Sequence, residues 1–512
     1  MQFPVPDIEA GDYLILATGQ SSNLTLAGAL SVLPGPATPT ETTQPLPTET
    51  PTSIPTIQPS PTPTVSPSPA PPHLPGISQV PNTTYFAEGY TGTSAVDGKV
   101  TFAQRLFLYN PTTFTSAVTM TYSVYNPATK SATSVTKLDT VAAGDSISRS
   151  VNADVGNNRM VSTTVSSSRG IVAQEVINRT RDDGTVLDGD SSQGTHGLAT
   201  TWYLAEGSAS ETLQEYLVLY NPGTTAARVQ VRYLTDGTPV PATAPVTVPA
   251  RSQVTINAGS QYGQLMPTGS KNIGAEVIAD QPIAVDRVMY WGNGDGSAKY
   301  GFSWASAVAT TTLSHAFPLL PTANGSQPFL TVLNPSGKVA NVSLRLLDSS
   351  GNTLTTASAA VNSNTRFTFD IASILPGDHG NVTGLLTSDV PVVSEAPVYY
   401  GGSPNNASAP GMVEQGSTGS QAGTTIDLPG STGLLRIYNP GNTSVQVQAT
   451  QGGSSGGTTV FAGTIAANSS QEIQLSSASS ATGITVLASG DVASALVKGG
   501  VGSSSITGGT LM

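Results

Sequence analysis

The sequence contains no cysteine, and this absence removes several kinds of chemistry together. Disulfide bonds, thiolate metal sites and thiol nucleophiles all need a sulfhydryl group that the chain does not have. Long apolar runs are absent as well, since no stretch reaches the roughly 18 residues that a membrane-spanning helix needs. The composition therefore predicts no membrane span, and the fold has to be stabilised by its cores alone.

Charged and aromatic residues are also scarce. Charged residues make up 10% of the chain, aromatic residues 6%, and the net charge is -12. A chain this poor in cations has no basic surface to neutralise phosphates, so we expect no nucleic-acid partner. Strong helix formers are few, whereas glycine, serine and threonine are abundant, which favours β-structure. With 512 residues the chain exceeds what one core normally covers, so several all-β domains are predicted.

The amino-terminal segment has two parts. Residues 1–33 contain two short apolar runs, which predict a hairpin too small to bury its own apolar face. We interpret it as the C-terminal hairpin of a truncated β domain, and we expect the export signal, which these residues do not show, to lie upstream. Residues 34–77 are rich in proline, threonine and serine, and they predict a disordered linker that favours polyproline II.

After the linker the sequence repeats. An apolar run that ends in Asn-Pro occurs four times, with its asparagines at positions 110, 221, 334 and 439. A spacing of about 110 residues is the size of a small domain and is too long for a solenoid or propeller unit. We therefore predict β-sandwich repeats at residues 79–200, 201–311, 312–424 and 425–512, the last of them degenerate.

Alternation within the Asn-Pro segment predicts a strand with one buried face. The residues four and two before each asparagine are always aliphatic, as in Leu106 and Leu108, so we expect them to face a core. The residue between them varies, so we expect it to face outward. In chain order this residue is Phe107, Val218, Thr331 and Arg436. Asparagine can bond its own following backbone and proline cannot continue a ladder, so the strand should end there in a turn.

Two further phrases recur around the Asn-Pro strand. The second repeat opens with Trp202 to Gly207 (Trp-Tyr-Leu-Ala-Glu-Gly) and carries Pro282 to Trp291 towards its end, and the first repeat keeps Tyr85 to Gly89. Together these phrases resemble a family of immunoglobulin-like repeats of about 110 residues in large exported surface proteins of bacteria. The resemblance implies tandem immunoglobulin-like β-sandwiches, an extracellular or cell-surface location, and no known chemistry.

The phrases decay from copy to copy, which argues against an enzyme. The third repeat has Ala316-Phe317-Pro318 in place of the opening phrase, and the fourth keeps only its strands. A shared catalytic site would not tolerate this loss, so we expect no enzyme activity, no catalytic residues and no cofactor-binding residues. The sequence favours a non-enzymatic extracellular structural protein: a surface stalk, an adhesin backbone or a surface-layer component. The alternative is a carbohydrate- or cell-wall-binding module, with cell-wall or extracellular glycans or other surface proteins as partners.

Aromatic pairs at equivalent strand ends are the candidates for glycan contact. They are Tyr290, Trp291, Tyr399 and Tyr400. A flat aromatic ring can stack against a sugar ring if its face is exposed. The competing interpretation is that such a rim aromatic plugs the end of a sandwich or the junction with the neighbouring repeat.

Recurring acidic residues are interpreted as structural. Glu88 and Glu206 lie in different repeats, so we expect them to cap a turn or to accept backbone amides at a repeat junction. Asp286 with Arg287, and Glu395, are predicted to make sheet-edge or interdomain charge contacts. If exposed, each such contact contributes about 0–1 kcal/mol.

No cofactor and no metal ligand is predicted. Acidic loops at Asp182 to Asp190 and Asn293 to Gly296 could offer some of the oxygens that calcium needs. Neither loop has the spacing of an EF-hand, and ordinary Asp-Gly turns explain both. The histidines lack ligand spacing and are expected to be exposed polar side chains. They are His73, His196, His315 and His379.

Overall fold

The computed structural model describes residues 11–18 and 25–32, and most of residues 80–509. Within the second range the residues left out are 94–98, 130, 185, 211–212, 238–239, 270, 292–300, 324, 401–408, 416–419, 430–431, 453–456, 478–479 and 501–502. The predicted linker at 34–77 therefore lies outside the described residues. The chain divides into two compact units, Met1–Pro69 and Ala70–Met512.

The first unit contains one antiparallel pair of strands, β1 (Gly11–Thr18) and β2 (Thr25–Val32). Gly11 pairs with Val32 at one end and Thr18 with Thr25 at the other. The two predicted apolar runs thus form a hairpin. That it is the remainder of a truncated domain stays a prediction.

The second unit holds all four repeats. Repeat 1 comprises β3 (Thr83–Phe86), β4 (Tyr90–Thr93), β5 (Val100–Tyr109), β6 (Ser116–Asn126), β7 (Ser131–Val141), β8 (Ser146–Ser150), α1 (Val151–Val155), β9 (Arg159–Ser167), β10 (Val172–Arg181) and β11 (Val186–Ser192). Repeat 2 comprises β12 (Ala199–Leu204), β13 (Leu213–Asn221), β14 (Ala227–Leu234), β15 (Val246–Val248), β16 (Ser252–Asn257), α2 (Ala258–Leu265), β17 (Gly274–Trp291) and β18 (Gly301–Ser306).

Repeats 3 and 4 follow the same order of strands. Repeat 3 comprises β19 (Thr312–Pro321), β20 (Ser326–Asn334), β21 (Ala340–Leu347), β22 (Thr353–Val361), β23 (Thr365–Asp370), α3 (Ile371–Ile374), β24 (Asn381–Tyr400) and β25 (Ala409–Gln415). Repeat 4 comprises β26 (Ser420–Asp427), β27 (Gly433–Tyr438), β28 (Val445–Gln451), β29 (Thr458–Ile465), β30 (Ser470–Leu475), β31 (Thr482–Gly500) and β32 (Ser503–Gly509). The first strand of repeat 4 thus begins inside the range predicted for repeat 3, and independent folding of each repeat stays a prediction.

Each repeat is a sandwich of two antiparallel sheets. In repeat 2 one sheet has the order β15-β14-β17-β12 and the other β16-β13-β17-β18. We call the sheet that holds the first strand of a repeat the opening sheet, and the sheet that holds the Asn-Pro strand the Asn-Pro sheet. Repeats 3 and 4 have the same two orders, and repeat 1 has them with β4 added. The predicted all-β fold is confirmed.

One long strand belongs to both sheets in repeats 2 to 4. The first part of β17 pairs with β14 in the opening sheet, and its second part pairs with β13 in the Asn-Pro sheet. In repeat 1 the same path is divided into β9 and β10, with Gly170 in a left-handed conformation at the break. A continuous backbone therefore ties the two sheets together, in addition to the core between them.

Each repeat has its own apolar core between the two sheets. The aliphatic pair before each asparagine is buried there, as predicted. The pairs are Leu106 and Leu108, Leu217 and Leu219, Leu330 and Val332, and Leu435 and Ile437. The second alternating strand contributes from the other sheet, as Val229, Val231 and Tyr233 do in repeat 2.

The asparagine of each Asn-Pro segment is fully buried and fastens a turn. In repeat 2, Asn221 Oδ1 accepts a hydrogen bond from the Gly223 amide at 3.0 Å, which is the predicted local turn. Its Nδ2 donates to the carbonyl oxygens of Thr225 and Val248 at 2.8 and 3.1 Å. Asn110, Asn334 and Asn439 repeat this pattern. The side chain thus links the end of the Asn-Pro strand to a strand far along the sequence, because a buried amide needs partners at both ends.

The prediction that the variable residue of the Asn-Pro strand faces outward to solvent is wrong. Phe107, Val218, Thr331 and Arg436 are all buried. Period-two alternation correctly places them on the other face of the sheet. In repeats 2 to 4 that face is covered by the preceding repeat, and in repeat 1 it is covered by repeat 4. Both faces of the Asn-Pro sheet are therefore interior.

The repeats close on themselves. The last strands of the repeats contact one another in a closed series, in which β11 contacts β18, β18 contacts β25, β25 contacts β32, and β32 contacts β11. Repeat 4 therefore packs against repeat 1 as well as against repeat 3. An extended row of sandwiches, which a stalk would need, does not have this contact. In the part of the chain that the structure describes, no helix is long and apolar enough to cross a membrane.

Candidate functional site: the joints between repeats

Four contact surfaces, which we call joints 1–2, 2–3, 3–4 and 4–1, connect consecutive repeats. At each joint the Asn-Pro sheet of one repeat packs against the end of the opening strand of the repeat before it. The residue immediately before the asparagine occupies this surface. It is Tyr220 in joint 1–2, Leu333 in joint 2–3, Tyr438 in joint 3–4 and Tyr109 in joint 4–1.

One strand position is equivalent in all four joints, but the chemical character of the residue at this position varies among them. Asp286 pairs with Val218, and Glu395 pairs with Thr331. Val218 and Thr331 are equivalent, because each lies three residues before the asparagine of its repeat. By the same register, the equivalent residues are Ala495 in repeat 4 and Gln174 in repeat 1. We call this the joint position. The sequence identified the acidic residues here, but not the surface they share.

In joint 1–2 the joint position binds the backbone of the preceding repeat. Asp286 Oδ2 accepts hydrogen bonds from the amides of Ala87 and Glu88, at 2.8 and 2.9 Å. A carboxylate with two backbone donors forms charge-assisted hydrogen bonds, which are stronger than neutral ones. Across the junction it is Asp286 that accepts the amides, and Glu88 supplies one of them. The Glu88 carboxyl itself accepts a backbone hydrogen bond from Gly89 of its own repeat.

Three carboxyl groups are buried together at joint 1–2. They belong to Glu88, Glu175 and Asp286. Burial, and next the charge of Asp286, raise the pKa of Glu88 to about 8. Burial also raises the pKa of Glu175 to about 8, although Gln104 Nε2 and Thr163 Oγ1 donate to its Oε1 at 2.7 and 3.0 Å. Burial raises the pKa of Asp286 as well.

A second polar contact in joint 1–2 connects the last strands of the two repeats. Asp190 Oδ2 accepts a hydrogen bond from the Trp304 amide at 2.8 Å, and the hydroxyl oxygens of Ser192 and Ser306 lie 3.1 Å apart. Burial raises the pKa of Asp190 to about 8. The buried Trp304 ring packs edge-on against Phe86 of repeat 1.

In joint 2–3 guanidinium groups neutralise the buried carboxylates. Glu395 Oε2 accepts from the Glu206 amide at 2.6 Å and from Arg287 Nη1 at 3.0 Å. Arg366 Nη2 of repeat 3 donates to Glu206 Oε2 at 3.1 Å, and Tyr399 donates its hydroxyl proton to Glu206 Oε1 at 3.0 Å. Asp286 with Arg287, and Glu395, were predicted to make sheet-edge or interdomain charge contacts. The contact observed between repeats joins Arg287 to Glu395, and both side chains are buried. Buried pairs of this kind are costly to break from one side.

Joint 3–4 replaces this polar centre with apolar contacts. Leu319 occupies the place of Glu206 in the opening strand and packs with Val398 and Ala495. Polar bonds lie to one side, where Arg436 Nη1 donates to the Asn381 carbonyl oxygen at 2.7 Å. Arg436 was predicted to face outward, but it is buried, because its guanidinium is bonded to this carbonyl oxygen of repeat 3.

Joint 4–1 is also mainly apolar. Ile426 of repeat 4 packs with Phe107, Tyr109 and Val172 of repeat 1. Gln193 Nε2, at the end of repeat 1, donates to Thr425 Oγ1 at 2.6 Å. This joint joins the two ends of the repeat series and therefore closes it.

Two of the four glycan-contact candidates lie inside joints. The ring of Tyr290 packs against Phe302, with the Arg179 guanidinium 5.0 Å from its centroid. Tyr399 is buried and bonded to Glu206. These environments match the competing interpretation, in which the aromatic fills a junction. The side chains of Trp291 and Tyr400 lie outside the described residues, and glycan contact stays a prediction.

The predicted acidic loop at Asp182 to Asp190 is in part a strand, since Asp188 and Asp190 lie in β11 and are buried. Asp188 is buried against Arg179 in an ion pair, and Asp190 is bonded to repeat 2. Among the residues that the structure describes, no group of three or more His, Asp or Glu side chains could hold a metal ion. The second loop, Asn293 to Gly296, lies outside them.

Two histidines differ from the prediction of exposure. His196 is partly buried, with its Nδ1 3.3 Å from Thr84 Oγ1, and burial lowers the pKa of its ring to about 4. His315 is buried, with Nε2 3.1 Å from the Val392 carbonyl oxygen. It occupies the place of Trp202, whose Nε1 donates to the Ile283 carbonyl oxygen at 2.9 Å. The ring nitrogen therefore takes over a hydrogen-bonding role that the lost opening phrase performed in repeat 2. His379 is exposed, and His73 lies outside the described residues.

Comparison with known proteins places the chain in a family. Residues 198–476, more than half of the chain, match the model described as "Family of unknown function (DUF5719)". The chain therefore belongs to this family, and the matched region begins at the start of repeat 2 and ends within repeat 4. No curated protein matches.

Two solved structures are similar to parts of the chain. A crystal structure described as Thermotoga maritima 1070 is 13% identical, with a TM-score of 0.19, and the match covers 22% of this chain and 93% of that one. A tetra-tandem repeat from the extending region of a large adhesion protein is 14% identical, with a TM-score of 0.10, and the match covers 76% of this chain and 90% of that one. Both TM-scores are too low to indicate a shared fold.

Proposed function

We propose that the chain is a non-enzymatic, extracellular structural protein whose four repeats act as one compact unit. The observation that carries this proposal is the packing of repeat 4 on repeat 1. A closed series leaves no terminal repeat with an uncovered joint surface, so each repeat is supported from both sides. A unit of this kind serves as a rigid head or spacer at a surface, with the proline-rich segment as its tether.

The use of the charged side chains also supports a structural role. Asp286, Glu395 and Arg366 are buried and bind groups of the neighbouring repeat. Charged groups in an enzyme site would instead converge on a space that a substrate can enter. These buried charged groups are therefore occupied in joining repeats.

The first test is whether the repeats unfold together. Hydrogen–deuterium exchange of the full chain in increasing urea should show residues of all four repeats losing protection at one common midpoint, because every joint is buried. Exchange reports on each repeat separately. Tryptophan fluorescence would report on repeat 2 alone, because all three tryptophans lie there. Four separate midpoints would contradict the proposal and would indicate independent domains.

The second test addresses location and ligand. Antibodies raised against the repeats should label intact cells that produce the protein, and labelling only after lysis would contradict an extracellular location. A glycan array and a cell-wall pull-down with the purified chain should show no saturable binding. Saturable binding that Trp291→Ala and Tyr400→Ala abolish would favour the carbohydrate-binding alternative instead.

A further inference from the structure

Joint 1–2 contains a cluster of acids without a counter-charge. Glu88 follows the opening strand of repeat 1, Glu175 lies in β10 of the same repeat, and Asp286 lies in β17 of repeat 2. The three carboxyl groups come from two repeats and three segments, and all are buried. Within the described residues, no arginine or lysine forms an ion pair with any of them.

At the equivalent positions joint 2–3 has two arginines, one in place of an acid and one in place of a neutral glutamine. Glu175 pairs with Leu106 in repeat 1, and Arg287 takes the same place opposite Leu217 in repeat 2. Gln253 of repeat 2 is likewise replaced by Arg366 in repeat 3. Joint 2–3 therefore surrounds its acids with two guanidinium groups, which joint 1–2 does not have. Two buried carboxylates near each other cannot both ionise cheaply without such a cation.

The other ionisable groups around the acids of joint 1–2 do not supply a free positive charge. Tyr290 of β17 faces Glu88, and Tyr122 of β6 faces Glu175; both are phenols. Arg179 lies over the Tyr290 ring and is paired with Asp188. Asp190, at the same joint, adds a further acid.

We propose that joint 1–2 is a pH-operated latch, closed while the carboxyl groups of Glu88 and Glu175 hold protons beside Asp286 and loosened when they ionise. The cluster spans the interface, so ionisation places like charges on both repeats and drives them apart. The raised pKa values fix the pH range. Glu88 and Glu175 have a pKa of about 8 in the closed joint against an ordinary value of 4.5.

The closed joint therefore keeps protons that the opened joint releases. Stabilisation from these groups is complete below pH 4.5 and is lost as the pH rises through 8. Joint 2–3 has Glu215, whose pKa burial raises to about 8 although the charge of Arg287 lowers it. Joint 1–2 has three groups with a pKa of about 8, which are Glu88, Glu175 and Asp190. Joint 3–4 has Leu319 and Ala495 at these places. The sensitivity to alkaline pH should thus fall from joint 1–2 to joint 2–3 to joint 3–4.

The test is hydrogen–deuterium exchange of the full chain at pH 6 and pH 9.5, with each rate divided by the intrinsic rate at that pH. Amides that cross joint 1–2 belong to Ala87, Glu88 and Trp304, and the reference in joint 3–4 is the Ser470 amide, bonded to the Ser349 carbonyl at 2.9 Å. We expect opening at joint 1–2 to rise at least ~10-fold more than at Ser470, since each unit of pKa shift is worth a factor of ten. Equal changes at the two joints would overturn the proposal.

A matched variant identifies the groups responsible. Glu88→Gln with Glu175→Gln keeps the size and one acceptor oxygen of each side chain but removes two ionisable groups, so the excess response of the Ala87 and Glu88 amides at pH 9.5 should be strongly reduced. Asp190 still ionises in this variant and leaves a remainder at Trp304. An undiminished response in this variant would also overturn the proposal. If the double variant does not fold, Glu175→Gln alone gives the same comparison with a smaller expected reduction, and no reduction counts against the latch.

Discussion

Joint 1–2 and joint 3–4 are built on the same strand register and filled with opposite chemistry. In joint 1–2, Asp286 receives two backbone amides beside the buried Glu88. In joint 3–4, Ala495 and Leu319 stand at the same two places and pack with Val398. The backbone path is therefore what the repeats share, whereas the contents of the joint vary. Both partners differ together, because an acid needs donors and a leucine needs an apolar neighbour.

The largest loss of stability is expected when an acid is placed in the apolar joint 3–4. Leu319→Glu puts a carboxylate beside Val398 and Ala495. Arg436, which pairs with Ala495 in the sheet, is already in an ion pair with Glu472. The variant should therefore lower the free energy of unfolding by about 3–5 kcal/mol at neutral pH. Urea unfolding measures this loss. Leu319→Met is the matched control and should cost less than about 1.5 kcal/mol. An equal, small effect of both variants would mean that joint 3–4 is open to water.

A smaller effect is expected when the polar joint loses its acceptor. Asp286→Ala, which copies Ala495 of joint 3–4, leaves the amides of Ala87 and Glu88 without a partner and should destabilise by about 2–3 kcal/mol. Asp286→Asn keeps one acceptor oxygen and is the control. The same urea titration at pH 6 checks both, and a neutral Asp286→Ala would show that these hydrogen bonds contribute little.

The smallest effect concerns the residue before the asparagine. Tyr220 has its hydroxyl 3.2 Å from Ser123 Oγ and 2.9 Å from Thr164 Oγ1, across joint 1–2. Tyr220→Phe removes these bonds and should cost about 1 kcal/mol. Leu333 takes the same place in joint 2–3 without any hydroxyl, so packing alone suffices there. A loss above about 3 kcal/mol would indicate that the whole joint, not the hydroxyl, had been disturbed.

Much of each sandwich follows from local patterns. Alternation in the Asn-Pro segment correctly predicted Leu217 and Leu219 as core residues, since a strand exposes alternate side chains to opposite faces. The same rule could not say what covers the other face, so Val218 and Arg436 were expected in solvent. The recurrence of an acid at Asp286 and Glu395 was the available signal for a joint. Their pairing with amides of another repeat depends on a packing that no single segment encodes.

The sequence by itself determined the repeat length, the strand that ends at each asparagine and the core face of that strand. These properties are local, because they depend on side-chain period and on the turn chemistry of Asn-Pro. Only the tertiary structure decided that repeat 4 closes on repeat 1 and that the charged side chains are buried between repeats. Closure depends on how neighbouring repeats are oriented at each joint. This orientation is set by surfaces far apart in sequence, and so leaves no periodic trace in any one of them.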